Sequence, residues 1–303
     1  LVLTGASSVA PVEEMEIAIR SAVMHGPTAH RPLILHVVTD VQGSRSLRSR
    51  LNAIGAVRVR TPTRVCVHAL SATALHALEA LKHYAFRPPK WRNGRSTGAI
   101  GTWMKLMLHR ALGPAAGERL LYMENDAAFL GDGAVEDMWD AAYANDRVDG
   151  DWMLRVSHMP GRAPCPGALA LQVHRMRGRG VNASFEWHAS RALRALQSRS
   201  SGAHRAWQMG PGIVARQAGD ADRRVVVGTK TFFELHRHQG RTDPCDQGVI
   251  IALLAERRDL VRTLPLEWGA SWLNGDASAP RFFHFNGHHR MGFSPYWTRW
   301  NAT

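Results

Sequence analysis

The sequence predicts an α/β fold, a single Rossmann-like domain whose mixed, mostly parallel sheet is flanked by helices. Three observations carry that expectation. Strand-like and helix-spaced segments alternate through the N-terminal part, Pro32–Asp40 has the β-branched, continuously apolar character of a central strand, and Arg119–Leu130 is an apolar stretch interrupted by Glu124, Asn125 and Asp126. A chain of 303 residues with 45% apolar content buries enough surface for one large domain, taken as residues 1–297 with a tail at 298–303.

The elements follow in order. Leu1–Leu3 is a strand, and Val12–Met24 spaces Ile17, Ile19 and Val23 as a helix does. After the Pro32–Asp40 strand come a helix at Ser46–Ile54 and a third strand at Val57–Arg60. Lys82–Arg95, rich in Pro, Arg and Trp, is a loop; Gly98–Leu112 is a helix with Met104, Leu108 and Leu112 on one stripe and Lys105 beside it. Arg119–Phe129 is a strand, Ala134–Tyr143 a helix, and Asp151–Val156 and Gly167–Val173 are strands around a Pro/Gly loop. Trp187–Gln197 and Gln247–Glu256 are helices, residues 200–245 are weakly patterned, and the tail from Trp268 is aromatic and loop-like. No internal repeat occurs.

Lys and Arg number 38 against 25 Asp and Glu, a formal charge of +13 carried mostly by arginine. A field of that sign attracts phosphates, acidic glycans, nucleic acid or an anionic membrane surface. The arginines are spread along the chain and no nucleic-acid module is visible, so nucleic acid is not the expected partner. No apolar run reaches the roughly eighteen residues of a membrane span. The chain opens at Leu1, so a targeting segment or membrane anchor is expected outside it. Cys66, Cys165 and Cys245 lack zinc-finger spacing and leave open either one disulfide with an odd thiol or three thiols. Asn182-Ala-Ser184 and Asn301-Ala-Thr303 are sequons that favour a lumenal protein. Leu3-Thr-Gly-Ala-Ser-Ser8 looks like a dinucleotide-binding turn, but the later glycines of that pattern and a Tyr-x-x-x-Lys are missing.

Two carboxylates at the end of a buried strand are costly unless a metal or a cation neutralises them. On an extended chain Glu124 and Asp126, at i and i+2, point the same way and would share one divalent ion with a diphosphate. Four further segments supply polar groups: the lysine of Ser96–Leu106, then Gly178–Ser184, Asp243–Gly248, and His284-Phe-Asn-Gly287-His-His-Arg290. Alone, each has an ordinary explanation: a solvated lysine, a turn, an N-cap, a solvated or packed histidine cluster.

In this order the segments resemble glycosyltransferase family 8, its LARGE-like and xylosyltransferase branches most closely. The resemblance runs from the first strand to about Arg290. Its most specific part is Ser96 to Trp139, where Ser-x-x-x-x-Gly-x-x-Met-Lys-Leu, a carboxylate-x-Asp strand, Asp132 and a helix follow the family's spacing. Gly178-Arg-Gly-x-Asn182 looks like the lead into its Asn-x-Gly motif, Asp246-Gln247 like its Asp-Gln pair, Leu264-Pro-x-x-Trp268 like its Leu-Pro-x-x-Trp, and His284-x-x-Gly287-x-x-Arg290 like its His-x-x-Gly-x-x-Lys.

The resemblance implies a GT-A fold, a UDP-sugar donor, a divalent ion, Mn2+ or Mg2+, and retaining transfer of a hexose or pentose to a glycan or glycoprotein acceptor in the Golgi or endoplasmic reticulum lumen. Residues 1–130 would be the nucleotide-binding half and 131–297 the acceptor and sugar half. Asp126 and His284 would hold the metal, with Glu124 in place of the family's first aspartate. Lys105 would approach the donor sugar, Asn182, Asp246 and Gln247 would line its pocket, Gly287 and Arg290 would hold the diphosphate, and Thr4, Gly5 and Ala6 would face the uracil. Four departures touch this plan: Glu124 for aspartate, Ser184 for the glycine after Asn182, Gly248 for a second aspartate after Gln247, and Gly269 for asparagine after Trp268.

Overall fold

The computed structural model describes residues 1–4, 12–27, 31–54, 62–70, 104–144, 150–158, 164–178, 184–185, 187–189, 191, 249–250, 253–254, 257–265, 268 and 281–284. Its strands are β1 (Val2–Thr4), β2 (Leu33–Thr39), β3 (Thr63–Ala69), β4 (Arg119–Glu124), β5 (Ala127–Phe129), β6 (Leu154–His158), β7 (Pro164–Gln172), β8 (Val261–Thr263) and β9 (Phe282–His284). The helices are α1 (Val12–Met24), α2 (Val41–Ile54), the short α3 (Leu108–Ala111), α4 (Ala134–Tyr143) and the short α5 (Val173–Arg177). Seven strands make one sheet in the order β3-β2-β1-β4-β7-β6-β8, while β5 and β9 form a separate antiparallel ribbon. In the large sheet only β7 runs against its neighbours β4 and β6; the other pairs are parallel. No helix among the described residues is long and apolar enough to cross a membrane.

Both faces of the sheet are covered, and the alternation of side chains along each strand sorts them into two apolar layers. Leu120 and Tyr122 of β4 join Leu169 and Leu171 of β7 in one layer, with Met104, Leu106 and Leu108 packed on it. Leu121 and Met123 join Ala168 and Ala170 in the other, with Met15, Ile19 and Val23 of α1 and Met138 of α4. The small β7 residues on that face leave room for Tyr143, which stacks on Trp152 with ring centroids 5.7 Å apart. The buried Tyr143 hydroxyl donates to Leu120 O at 2.7 Å and accepts from Leu171 N at 3.2 Å, tying α4 to the β4–β7 seam.

The structure departs from the sequence expectations in five places. The strand beside β2 is Thr63–Ala69, whereas Val57–Arg60 lies outside the described residues. Helix α2 begins at Val41, because the Asp40 carboxylate accepts the Gly43 N–H at 2.6 Å and caps the first turn. The described end of the Gly98–Leu112 segment is a 3-10 turn, Lys105–Met107, followed by α3. The expected Arg119–Phe129 strand is broken after Glu124 by a turn at Asn125 and Asp126, and its two pieces belong to different sheets. Finally, β8 and β9 occupy stretches with no strand signal, being too short at three residues each to display a period.

Candidate metal centre and active site

The topology itself points to a place where a ligand would bind. From β1 the chain builds β2 and β3 to one side, then crosses to place β4 on the other, so the strand order reverses between β1 and β4. Ligands of open α/β sheets bind outside the carboxyl ends of strands at such a reversal. Thr4 and Glu124, the last residues of β1 and β4, lie opposite each other there.

Three elements converge on this point. Glu124 ends β4, Asp126 follows on the turn that leads into β5, and β9 pairs with β5 so that His284 stands opposite Ala127, the residue after Asp126. The imidazole Nε2 therefore lies 2.8 Å from Glu124 Oε2 and 3.2 Å from Asp126 Oδ1. The acids converge through a turn between two sheets and not through the i, i+2 alignment of one extended strand. His284, expected in a loop, is held by the strand ladder.

Lys105 arrives from the apolar layer that contains Tyr122. Its neighbours Met104 and Leu106 are buried there, and Lys105 itself is 1% exposed, which excludes a solvated surface role. Its Nζ donates to Glu124 Oε1 and lies 5.9 Å from the centre of the Tyr122 ring. Burial alone pushes the Glu124 carboxyl up; the Lys105 charge and the hydrogen bond and charge of His284 outweigh burial and the repulsion of Asp126, so the group is held below the ordinary carboxylate range.

The donor set fits a divalent ion. One ligand atom each from Glu124, Asp126 and His284 can be chosen so that all lie within 4.8 Å of one another. An octahedral ion with ligands at about 2.1 Å sets adjacent donors roughly 3 Å apart, and the two measured separations bracket that value. Carboxylate oxygens suit Mg2+ and Mn2+, while the imidazole favours a first-row transition ion.

Of the other expected site residues, Thr4 takes its place at the β1 end. Gly5, Ala6, Asn182, Asp246, Gln247, Gly287 and Arg290 lie outside the described residues. Ser184 acts as a cap, its hydroxyl accepting the Trp187 N–H at 3.4 Å. Cys66 is a free, half-buried thiol. One residue that the sequence reading missed is Gly167 of β7: a Cβ built there would come within 2.5 Å of His284 Nδ1. Its signal was available, since a glycine inside a strand marks a close approach.

No protein-family profile and no curated protein matches the chain. Among solved structures it is similar to mouse xyloside xylosyltransferase 1 in its apo form, with TM-score 0.57 and 12% identity over 94% of this chain and 97% of that one. It is also similar to the galactosyltransferase LgtC in complex with donor and acceptor sugar analogues, with TM-score 0.55 and 11% identity over 99% of this chain and 93% of that one. The chain thus has the GT-A fold, the α/β architecture of these glycosyltransferases.

Proposed function

We propose that this protein is a metal-dependent glycosyltransferase that moves a sugar, xylose or glucose favoured, from a UDP-sugar to a glycan or glycoprotein acceptor with retention of configuration. The observation that carries this is the meeting of His284 with Glu124 and Asp126 beside the strand-order reversal at the ends of β1 and β4 in a GT-A fold. A Mn2+ or Mg2+ ion bound there would serve as a Lewis acid toward the departing diphosphate. Glu124 and Asp126 supply oxygen ligands and His284 a nitrogen, so each must be free of its proton when it binds. Lys105 keeps Glu124 ionised and fixes one of its oxygens. Arg290 and Gly287 are assigned to the diphosphate, Asn182, Asp246 and Gln247 to the sugar pocket, and Thr4, Gly5 and Ala6 to the uracil. A carboxylate or amide at Asp246 or Gln247 stabilises an oxocarbenium-like sugar without a covalent bond. Residence in the Golgi or endoplasmic reticulum lumen is part of this proposal.

Titration with UDP in the presence and absence of Mn2+ tests the site, and a screen of UDP-sugars for hydrolysis and transfer tests the activity. Asp126→Ala and His284→Ala are each expected to abolish metal-dependent UDP affinity with the far-ultraviolet circular dichroism unchanged. Unaltered affinity in either variant counts against the assignment. The departures at Ser184, Gly248 and Gly269 motivate a second reading, a catalytically silent relative that binds nucleotide sugar or glycan. Such a protein would bind UDP with Mn2+ and release no sugar from any donor. Binding that tracks polyanion length and ignores both UDP and Mn2+ would instead identify a basic polyanion-binding protein.

A further inference from the structure

We infer that Gly167 is the positioning residue of the metal centre: its missing side chain is the space in which the His284 imidazole lies, turning Nε2 toward both carboxylates. The inference rests on the metal-site reading above. Gly167 is followed in β7 by Ala168, which pairs with Met123, so it comes beside the end of β4 where Glu124 sits. A Cβ at residue 167 would be 2.5 Å from His284 Nδ1, 2.6 Å from Cγ and 3.1 Å from Cβ.

These contacts are with the root and the near side of a short, buried ring, not with the far end of a flexible chain. His284 is 6% exposed, its strand is paired with β5, and its Nε2 is engaged with Glu124 and Asp126. The imidazole therefore has no retreat that keeps Nε2 in place. Any side chain at 167 must turn the ring away from the acids or lift β9 from its partner. Groups that orient a metal-binding imidazole affect affinity by about 10–100-fold.

The test compares the wild type, Gly167→Ala, His284→Ala and the double variant in two measurements. In metal-free protein, urea unfolding reads whether the methyl group conflicts with the ring. Gly167→Ala is expected to lower the midpoint in the wild type and to leave it unchanged or raise it in the His284→Ala background, where the methyl occupies vacated space. In a Mn2+ titration without nucleotide, followed by electron paramagnetic resonance, Gly167→Ala should weaken binding about tenfold or more and have no further effect once His284 is gone. Equal losses in both backgrounds would mark Gly167 as a general packing residue and overturn the inference, as would undiminished Mn2+ affinity in Gly167→Ala. If the wild type bound no Mn2+, the metal reading and the positioning role derived from it would both fall. The unfolding cycle would still show separately whether residue 167 makes room for the ring.

Discussion

Lys105 stands in a position where a charge needs a partner, and Glu124 supplies one. An ammonium buried to 1% exposure is costly to desolvate, and here it is set against Glu124, which shares its second oxygen with His284. Removing one member of such a pair leaves the other charge in a poor environment, beside Asp126. Lys105→Met is therefore expected to destabilise the protein by about 2–3 kcal/mol, read from the urea midpoint. Adding Glu124→Gln should recover part of that loss, because the uncompensated carboxylate is then removed. A Lys105→Met variant as stable as the wild type would mean that the ion pair is worth nothing to the fold. The extra methylene that distinguishes Glu124 from an aspartate also gains a physical meaning. It lets one carboxylate reach the lysine with Oε1 and the imidazole with Oε2.

At the scale of elements, a buried phenol reinforces the seam that the β4–β7 ladder forms. Tyr143 on α4 places its hydroxyl between Leu120 O and Leu171 N, inside the layer formed by the small β7 residues. Tyr143→Phe keeps the ring stack on Trp152 but orphans buried backbone groups, and should cost about 1–3 kcal/mol by urea denaturation. Elements with a full period were legible in the sequence. Val12–Met24 and Ala134–Tyr143 coincide with α1 and α4, because each presents several turns of apolar spacing to the sheet. Arg119–Phe129 was legible as apolar but not as two strands, since hydropathy does not register a turn made by Asn125 and Asp126 within an otherwise strand-like run. β9 was illegible for a different reason. It is held by its partner β5, far away in sequence, and not by its own three residues. Glu124 and Asp126 stood out as carboxylates at the end of an apolar run and His284 through the family resemblance, whereas Gly167 carried only the general signal of a glycine inside a strand, and the packed imidazole shows what it makes room for.

For the whole molecule, sensitivity to acid is expected from the β2–β3 side of the sheet. On the β2–β3 side His36 Nδ1 lies 2.9 Å from His68 Nε2. Burial first, with the charges of His68 and Arg64, lowers His36 to about 4 from its ordinary 6.5, and burial followed by Arg48 lowers His68 as well. A folded state that refuses a proton the unfolded chain accepts is weakened as acid is added. The contribution from His36 is complete above about pH 6.5, falls away between about 6.5 and 4, and levels off below, amounting to at most about 3 kcal/mol. Urea midpoints measured from pH 7.5 to 4.5 should fall accordingly, and His36→Phe should flatten the slope. An unchanged slope in that variant would place the acid sensitivity elsewhere.

The break at Asn125 and Asp126 means that the three candidate ligands do not belong to one hydrogen-bonded body. Glu124 is carried by the large sheet, whereas Asp126 and His284 travel with the ribbon of β5 and β9. An ion held by all three is consequently a rivet between two plates, joining chain positions that are far apart. Saturating Mn2+ should raise the melting temperature by mass action and slow amide exchange in β9 more than in β2, and chelation should return both to their starting values.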